Sequence, residues 1–246
     1  MIKYFIGSCF IVLLLASCKK EDANFTSESI NDYFPLQVGK YITYDLDSTI
    51  FYLNFGVKAV EVHYQAQYRV DKQVTDNLGR QAYNISRWLR TDSTQSWQID
   101  NVFTAVPTSK SLEYIQDNLR FIKLMMPIRE GFSWKGNSYL PYDPYRSYAF
   151  ANPTFTEDWD YIYQNTDSPL TIGKNNFPNT ITVFEIADSS GNPVTAGTDY
   201  AEKTYSIEKY AKNIGLIYKD FIHWEFQSVD NTYKGFGERL SIIDHN

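Results

Sequence analysis

The sequence predicts an all-β protein, an antiparallel curved sheet, half-barrel or barrel of about ten strands with at most one or two short helices. Three observations carry this. Apolar and polar residues alternate with period two in segment after segment, the pattern of strands with one buried face. Clusters of Gly, Pro, Asn, Asp and Ser separate those segments at short intervals, as in sheets built from hairpins. Tyr (20) and Phe (16) dominate an aromatic content of 17%, a load that suits half-buried sheet faces.

In chain order, Tyr33-Phe34-Pro35-Leu36-Gln37-Val38-Gly39-Lys40 reads as a turn in which Gly39 supplies a positive φ. Ile42, Tyr44 and Leu46 then alternate with Thr43 and Asp45. Val57 to Val74 is a longer extended stretch, with Val60, Val62, Tyr64, Ala66 and Tyr68 on one face. The turn Asp76-Asn77-Leu78-Gly79 leads into Ala82 to Arg90, and Trp97 to Val106 follows. Ser111 to Met126 is ambiguous. Leu112, Ile115, Leu119, Ile122 and Met126 have helical spacing, yet Asp117-Asn118 equally suits a two-residue hairpin turn, which the surrounding β pattern favours. Pro127 to Gly136 repeats the logic of the first turn, which suggests related halves of one sheet. Thr154 to Gln164, Thr180 to Ala187, Lys203 to Lys209, Gly215 to Gln227 and Phe236 to Ile243 complete the strands, with Asp188-Ser189-Ser190-Gly191-Asn192-Pro193 the clearest turn cluster among them.

The N-terminus carries an address. Lys3 supplies a basic start and Tyr4 to Ala16 is apolar, too short for the roughly 20 residues that span a bilayer. Leu14-Leu15-Ala16-Ser17-Cys18 resembles a bacterial lipoprotein lipobox, in which a small residue precedes a cysteine that receives a diacylglycerol. The resemblance implies removal of residues 1–17 and a membrane partner held through acyl chains, palmitate among them, on Cys18. Each buried methylene contributes about 0.8 kcal/mol, so two or three chains anchor the protein stably. Lys20-Glu21-Asp22 resembles the short signal, a lysine and two acidic residues, that directs lipoproteins of the Bacteroidota to the cell surface. Residues 18–32 then form a polar tether and 33–246 a single β-rich domain. The implied location is the outer membrane, at the cell surface or otherwise on its periplasmic face.

Without the leader 229 of the 246 residues remain, and loss of Lys3 takes the formal charge from -6 to -7. That balance, with no basic cluster, offers no footprint for nucleic acid. Cys9 leaves with the leader and Cys18 is acylated, so no disulfide is expected within the mature chain.

Further motifs carry a family resemblance. The chain has a Phe-Pro-Leu-x-x-Gly turn at Phe34 to Gly39 and a Pro-x-x-x-Gly-x-x-Trp turn at Pro127 to Trp134. It closes on a stretch beginning Tyr210-Ala211-Lys212-Asn213-Ile214-Gly215-Leu216-Ile217-Tyr218-Lys219. In these it resembles a group of uncharacterised Bacteroidota exported lipoproteins, although Tyr41 and Ile42 stand where the group often places a tryptophan. The resemblance implies a β-rich exported lipoprotein and supplies no catalytic residues.

Chemical constellations are sparse. His223 and Glu225 share a strand face near Asp220, but a zinc site needs a third ligand at a recognisable spacing, so no metal and no cofactor is expected. His63 falls between Val62 and Tyr64, and His245 is next to the C-terminus. No Gly-x-Ser-x-Gly elbow is present. Glu157, Asp158 and Asp160 around Trp159 have the composition of a glycosidase pair, but Asp158 and Asp160 on one strand face read more simply as a solvated edge. No catalytic residue is therefore assigned, and the chain is read as a non-enzyme.

The most informative surface candidate is Tyr139, Tyr142, Tyr145 and Tyr148, which recur every third residue with Pro141 and Pro144 between them. A polyproline-II segment would project all four rings from one side, as a contact for a glycan, ligand or protein partner. The competing reading has the loop folding back to lid the sheet. The leading expectation is a surface lipoprotein that binds through aromatic loops. The alternatives are a carrier of a lipid or hydrophobic ligand in a β half-barrel and a glycoside hydrolase or other hydrolase.

Overall fold

Among the described residues twelve strands form a single sheet in which each hydrogen-bonded pair of neighbours is antiparallel. They are β1 (Tyr41–Ile50), β2 (Val60–Thr75), β3 (Gln81–Arg90), β4 (Gln98–Pro107), β5 (Ser111–Gln116) and β6 (Leu119–Met125), then β7 (Ser133–Lys135), β8 (Asp160–Ile172), β9 (Asn175–Ser190), β10 (Tyr200–Ala211), β11 (Gly215–Gln227) and β12 (Thr232–His245). The last strand returns to pair with the first, from Ile42 opposite His245 to Ile50 opposite Phe236. The result is a nearly closed up-and-down barrel whose one unladdered junction lies between β6 and β7. The computed structural model describes residues 28–51, 59–151, 156–191, 200–229 and 232–246.

The ambiguous stretch is a hairpin. Asp117 (φ 51°) and Asn118 (φ 62°) both adopt left-handed backbone, as a two-residue turn with the right twist requires and as Asp and Asn tolerate. The two Pro-to-Gly turns precede β1 and β7, the first strands of two six-stranded halves, and Gly39 (φ 91°) and Gly131 (φ 74°) hold both.

Several boundaries differ from the sequence reading, among them the starts of β9 at Asn175 rather than Thr180 and of β12 at Thr232 rather than Phe236. Thr156–Asp158 is a 3-10 turn, so the strand expected from Thr154 begins at Asp160 and runs on to Ile172. Asp188 to Ser190 are still paired with Glu202 to Thr204, because cross-strand hydrogen bonds carry the hairpin past where local composition suggests a stop. Ile30, expected in the tether, is 4% exposed and Tyr33 is fully buried, in a short helical turn (α1, Ile30–Tyr33) capped by Ser29 and Asp32. Asn213 N–H donates to the Asp32 carbonyl at 2.5 Å. This turn and the following Phe34-Pro35 close one end of the barrel.

The β6–β7 seam is sealed by mixed bonds. Ile122 N–H donates to the Gly136 carbonyl at 2.7 Å, and the Trp134 indole N–H donates to the Ile122 carbonyl at 2.8 Å. The outer surface carries charges aligned across strands, with Asp47 opposite His63 on one side and Arg239 on the other. No helix among the described residues is long and apolar enough to cross a membrane.

Candidate functional site

The tyrosine loop lies at the end of the barrel opposite α1, and the structure splits its four rings. Tyr145 packs edge-on to Phe236 at 5.1 Å, and Tyr148 stacks on the same ring at 4.5 Å. A 3-10 turn over Arg146–Tyr148, followed by Ala149 at φ 50°, breaks the three-residue period, so a one-sided row of four does not form. The loop is tied down further along: Lys234 Nζ donates to the Ala149 carbonyl at 2.6 Å, and Ala151 N–H donates to both Glu225 oxygens at 2.9 and 3.0 Å. Tyr139 and Tyr142 face outward, 57% and 59% exposed. The Arg120 guanidinium lies 5.8 Å from the Tyr139 ring. The loop thus folds back on Phe236 through two rings, of which Tyr148 stays 40% exposed, while the other two face outward.

Charged residues cross the interior, and sequence reasoning missed them. Lys123 on β6 donates to Glu185 on β9 at 3.0 Å and to Glu208 on β10 at 2.8 Å, spanning the barrel. Arg87 on β3 reaches past two strands to Glu238 on β12 at 3.1 Å, and Lys219 on β11 holds the other oxygen of Glu238 at 2.7 Å. Ser206 and Tyr210 hydroxyls donate to Glu185 and Glu208 respectively. Burial pushes the Glu185 carboxyl up, and the neighbouring Glu208 charge adds to that against the pull of Lys123. For Glu208 burial also pushes up, but Lys123 and Lys219 outweigh it and leave the carboxyl below its ordinary range. A usable signal existed in strand parity: Glu185 shares a face with Ile181 and Val183, both fully buried.

Between this belt and α1 lies a cavity of about 90 Å³. Its walls are largely aromatic, with Phe34, Tyr44, Tyr68, Tyr114 and Tyr210 beside the charged residues Lys123, Glu208, Lys219 and Glu238.

His223 is 5% exposed, under the lid, with Nδ1 2.8 Å from the Thr204 hydroxyl and Nε2 buried without a partner. The Phe150 ring stands edge-on at 4.4 Å, and burial pushes the imidazole pKa down to about 4. Glu225 is committed to the Ala151 backbone, and Asp220 falls on the opposite face by strand parity, so the three do not converge. Asp47, Glu61 and His63 do converge on the outer surface. Arg239 already occupies that cluster as its cation, with Nε 2.9 Å from Asp47 and a guanidinium nitrogen 3.5 Å from Glu61.

The carboxylates around Trp159 do not share a strand face as expected. Glu157 and Asp158 lie in the 3-10 turn, while Asp160 begins β8 and pairs with Lys135 at 3.1 Å. Cys18, Lys20, Glu21 and Asp22 lie outside the described residues.

No protein-family model matches the sequence, and no curated protein matches it. Among solved structures the chain is similar to a protein from Bacteroides fragilis classed as exported and YmcC-like in fold, at 11% identity and TM-score 0.38, covering 86% of this chain and 99% of that one. It is also similar to a protein from Parabacteroides distasonis classed as a lipoprotein, at 12% identity and TM-score 0.34, covering 87% and 99%. At these scores neither likeness carries an argument about what the chain does.

Proposed function

We propose that this chain is a non-catalytic lipoprotein of the outer membrane, anchored through Cys18 and displayed at the cell surface, that binds a glycan or protein partner through Tyr139 and Tyr142. The carrying observation is the division of labour in the tyrosine loop. Tyr145 and Tyr148 fix the loop on Phe236, which leaves Tyr139 and Tyr142 exposed on a held backbone. Exposed tyrosines on a fixed support present large contact area at little cost in conformational entropy.

A glycan array and an envelope-protein binding screen, run with the full chain and with Tyr139→Ala/Tyr142→Ala, test the platform. A ligand lost in the double variant at unchanged melting temperature supports it, and a ligand bound equally by both overturns it. Labelling with radioactive palmitate tests the anchor, since an unlabelled protein that partitions into the aqueous phase has none. The lipid-carrier alternative is disfavoured by the interior: a cavity of about 90 Å³ is small beside the roughly 300–1,000 Å³ of pockets for larger ligands.

A further inference from the structure

Residues 145–151 are lightly seated on the barrel end they cover. None of them is fully buried, yet His223 and Glu225 beneath them are. Tyr145, Tyr148 and Phe150 rest on Phe221, Phe236 and His223 through ring contacts. Among the described residues no backbone-to-backbone hydrogen bond joins the segment to a strand. Its own bonds, from Tyr148 N–H to the Tyr145 carbonyl and from Ala149 N–H to the Arg146 carbonyl, are internal. Among the described residues two side chains fasten it, Lys234 on the Ala149 carbonyl and Glu225 on the Ala151 N–H. The segment can therefore lift without breaking a strand ladder.

His223 opposes closure. Nδ1 faces the Thr204 hydroxyl and Nε2 has no partner, so either neutral tautomer leaves one buried donor or acceptor unpaired. A proton on the ring adds a charge at the same place. No carboxylate reaches Nε2 in the closed form. Glu225, on the same strand face, is turned to Ala151, and Glu202, opposite Glu225 on β10, accepts from the Tyr200 hydroxyl. Asp188 lies one strand further off, opposite Thr204, and is exposed. From β12 the ring meets Phe236, with Lys234 opposite Glu225, and from the segment above it meets Tyr145 and Phe150. Pairing a charged His223 with Glu225 would take that carboxylate from Ala151, so both ways of accommodating the proton weaken closure.

We propose that residues 145–151 form an acid-released lid, which protonation of His223 lifts off β11 and β12 to uncover Phe221 and Phe236 while the barrel stays folded. The lid needs no ligand at Tyr139 or Tyr142 and goes beyond the role proposed for them. Burial pushes the imidazole down to about 4, and contact with water on opening returns it towards 6.5, so the open form takes up the proton first. From pH 7.5 to pH 5 the ratio of open to closed forms should rise about 25-fold.

Hydrogen–deuterium exchange of the full chain at both pH values, corrected for the intrinsic pH dependence of exchange, tests it. Peptides covering 145–151 should be less protected than those of β11 throughout, and their protection should fall about 25-fold on acidification. The fall should vanish in His223→Phe, or in His223→Gln if the first does not fold. It should persist in Glu225→Gln, whose amide oxygen still accepts from Ala151. Equal protection of the segment and β11 would mean that it opens only with the whole barrel, and overturns the lid. A fall that survives the loss of His223, or disappears in Glu225→Gln, overturns His223 as the trigger, and absence of any fall overturns both.

Discussion

The Tyr163 hydroxyl accepts from the Met125 N–H at 2.9 Å and donates to the Met125 carbonyl at 2.9 Å. One phenol on β8 thus satisfies both backbone groups of a residue on the far edge of the sheet, where a thirteenth strand would otherwise pair. With the Trp134 indole on Ile122 and the Ile122–Gly136 backbone bond, it makes the β6–β7 junction a seam closed by mixed bonds rather than by a ladder. An edge strand with unsatisfied groups is open to pairing with another chain, and this arrangement blunts it.

Tyr163→Phe should therefore destabilise the barrel by about 1–3 kcal/mol for each backbone group left without a partner. Trp134→Phe, which frees the buried Ile122 carbonyl, should cost a similar amount. Urea denaturation measures both. Two variants as stable as the parent would mean that the seam is held by something else.

Lys123 is the keystone of the interior belt. Burial alone would discharge it, but the charges of Glu185 and Glu208 outweigh burial and hold its pKa above the ordinary lysine value. Lys123→Met leaves two carboxylates without their cation and should cost about 3–5 kcal/mol. The triple change Lys123→Met/Glu185→Gln/Glu208→Gln should recover much of that loss, because no buried charge of the cluster is then unpaired. A triple variant no more stable than the single one would show that shape, and not charge, is what the site needs.

Within the loop, stability and exposure should separate. Tyr145→Ala removes a ring packed against Phe221 and Phe236 and should cost about 3 kcal/mol. Tyr142→Ala, at an exposed position, should stay within about 0.5 kcal/mol of the parent. Thermal melts of the two single variants check this, and equal losses would contradict the split.

His223 makes stability depend on pH. Its folded pKa of about 4 lies below the ordinary value of 6.5, because burial disfavours the charged ring. Glu225 shares its strand face, bonded to the Ala151 backbone, and Tyr145, Phe150 and Thr204 complete its surroundings. The unfolded chain takes up this proton first. The contribution is therefore complete above about pH 6.5 and is lost as pH falls towards 4, at about 1.4 kcal/mol per unit and up to about 3 kcal/mol in total. Melting temperatures from pH 7 to 4 should fall less steeply in His223→Phe than in the parent. Parallel profiles would assign the acid sensitivity to other groups.

Much of the barrel was legible because strand signals are local. Gly215–Gln227 is a strand with the bounds its alternation gives, and Asp117-Asn118 is a turn because two left-handed residues were needed there. What was illegible depended on partners distant in the chain. Asp188 to Ser190 look like a loop until Glu202 to Thr204 pair with them. The period-three tyrosines look like a row until Phe236 captures two of them. Nothing near Lys123 in the chain announces the carboxylates that lie 62 and 85 residues away.

The sequence by itself determined an antiparallel β architecture, because period-two alternation and turn chemistry are written in neighbouring residues. Tertiary structure alone decided that twelve strands curl until Tyr163 can reach Met125, and that ion pairs cross the space so enclosed. Closing a sheet brings together side chains far apart in the chain, and their pairing depends on where the strands meet rather than on which residues stand beside them.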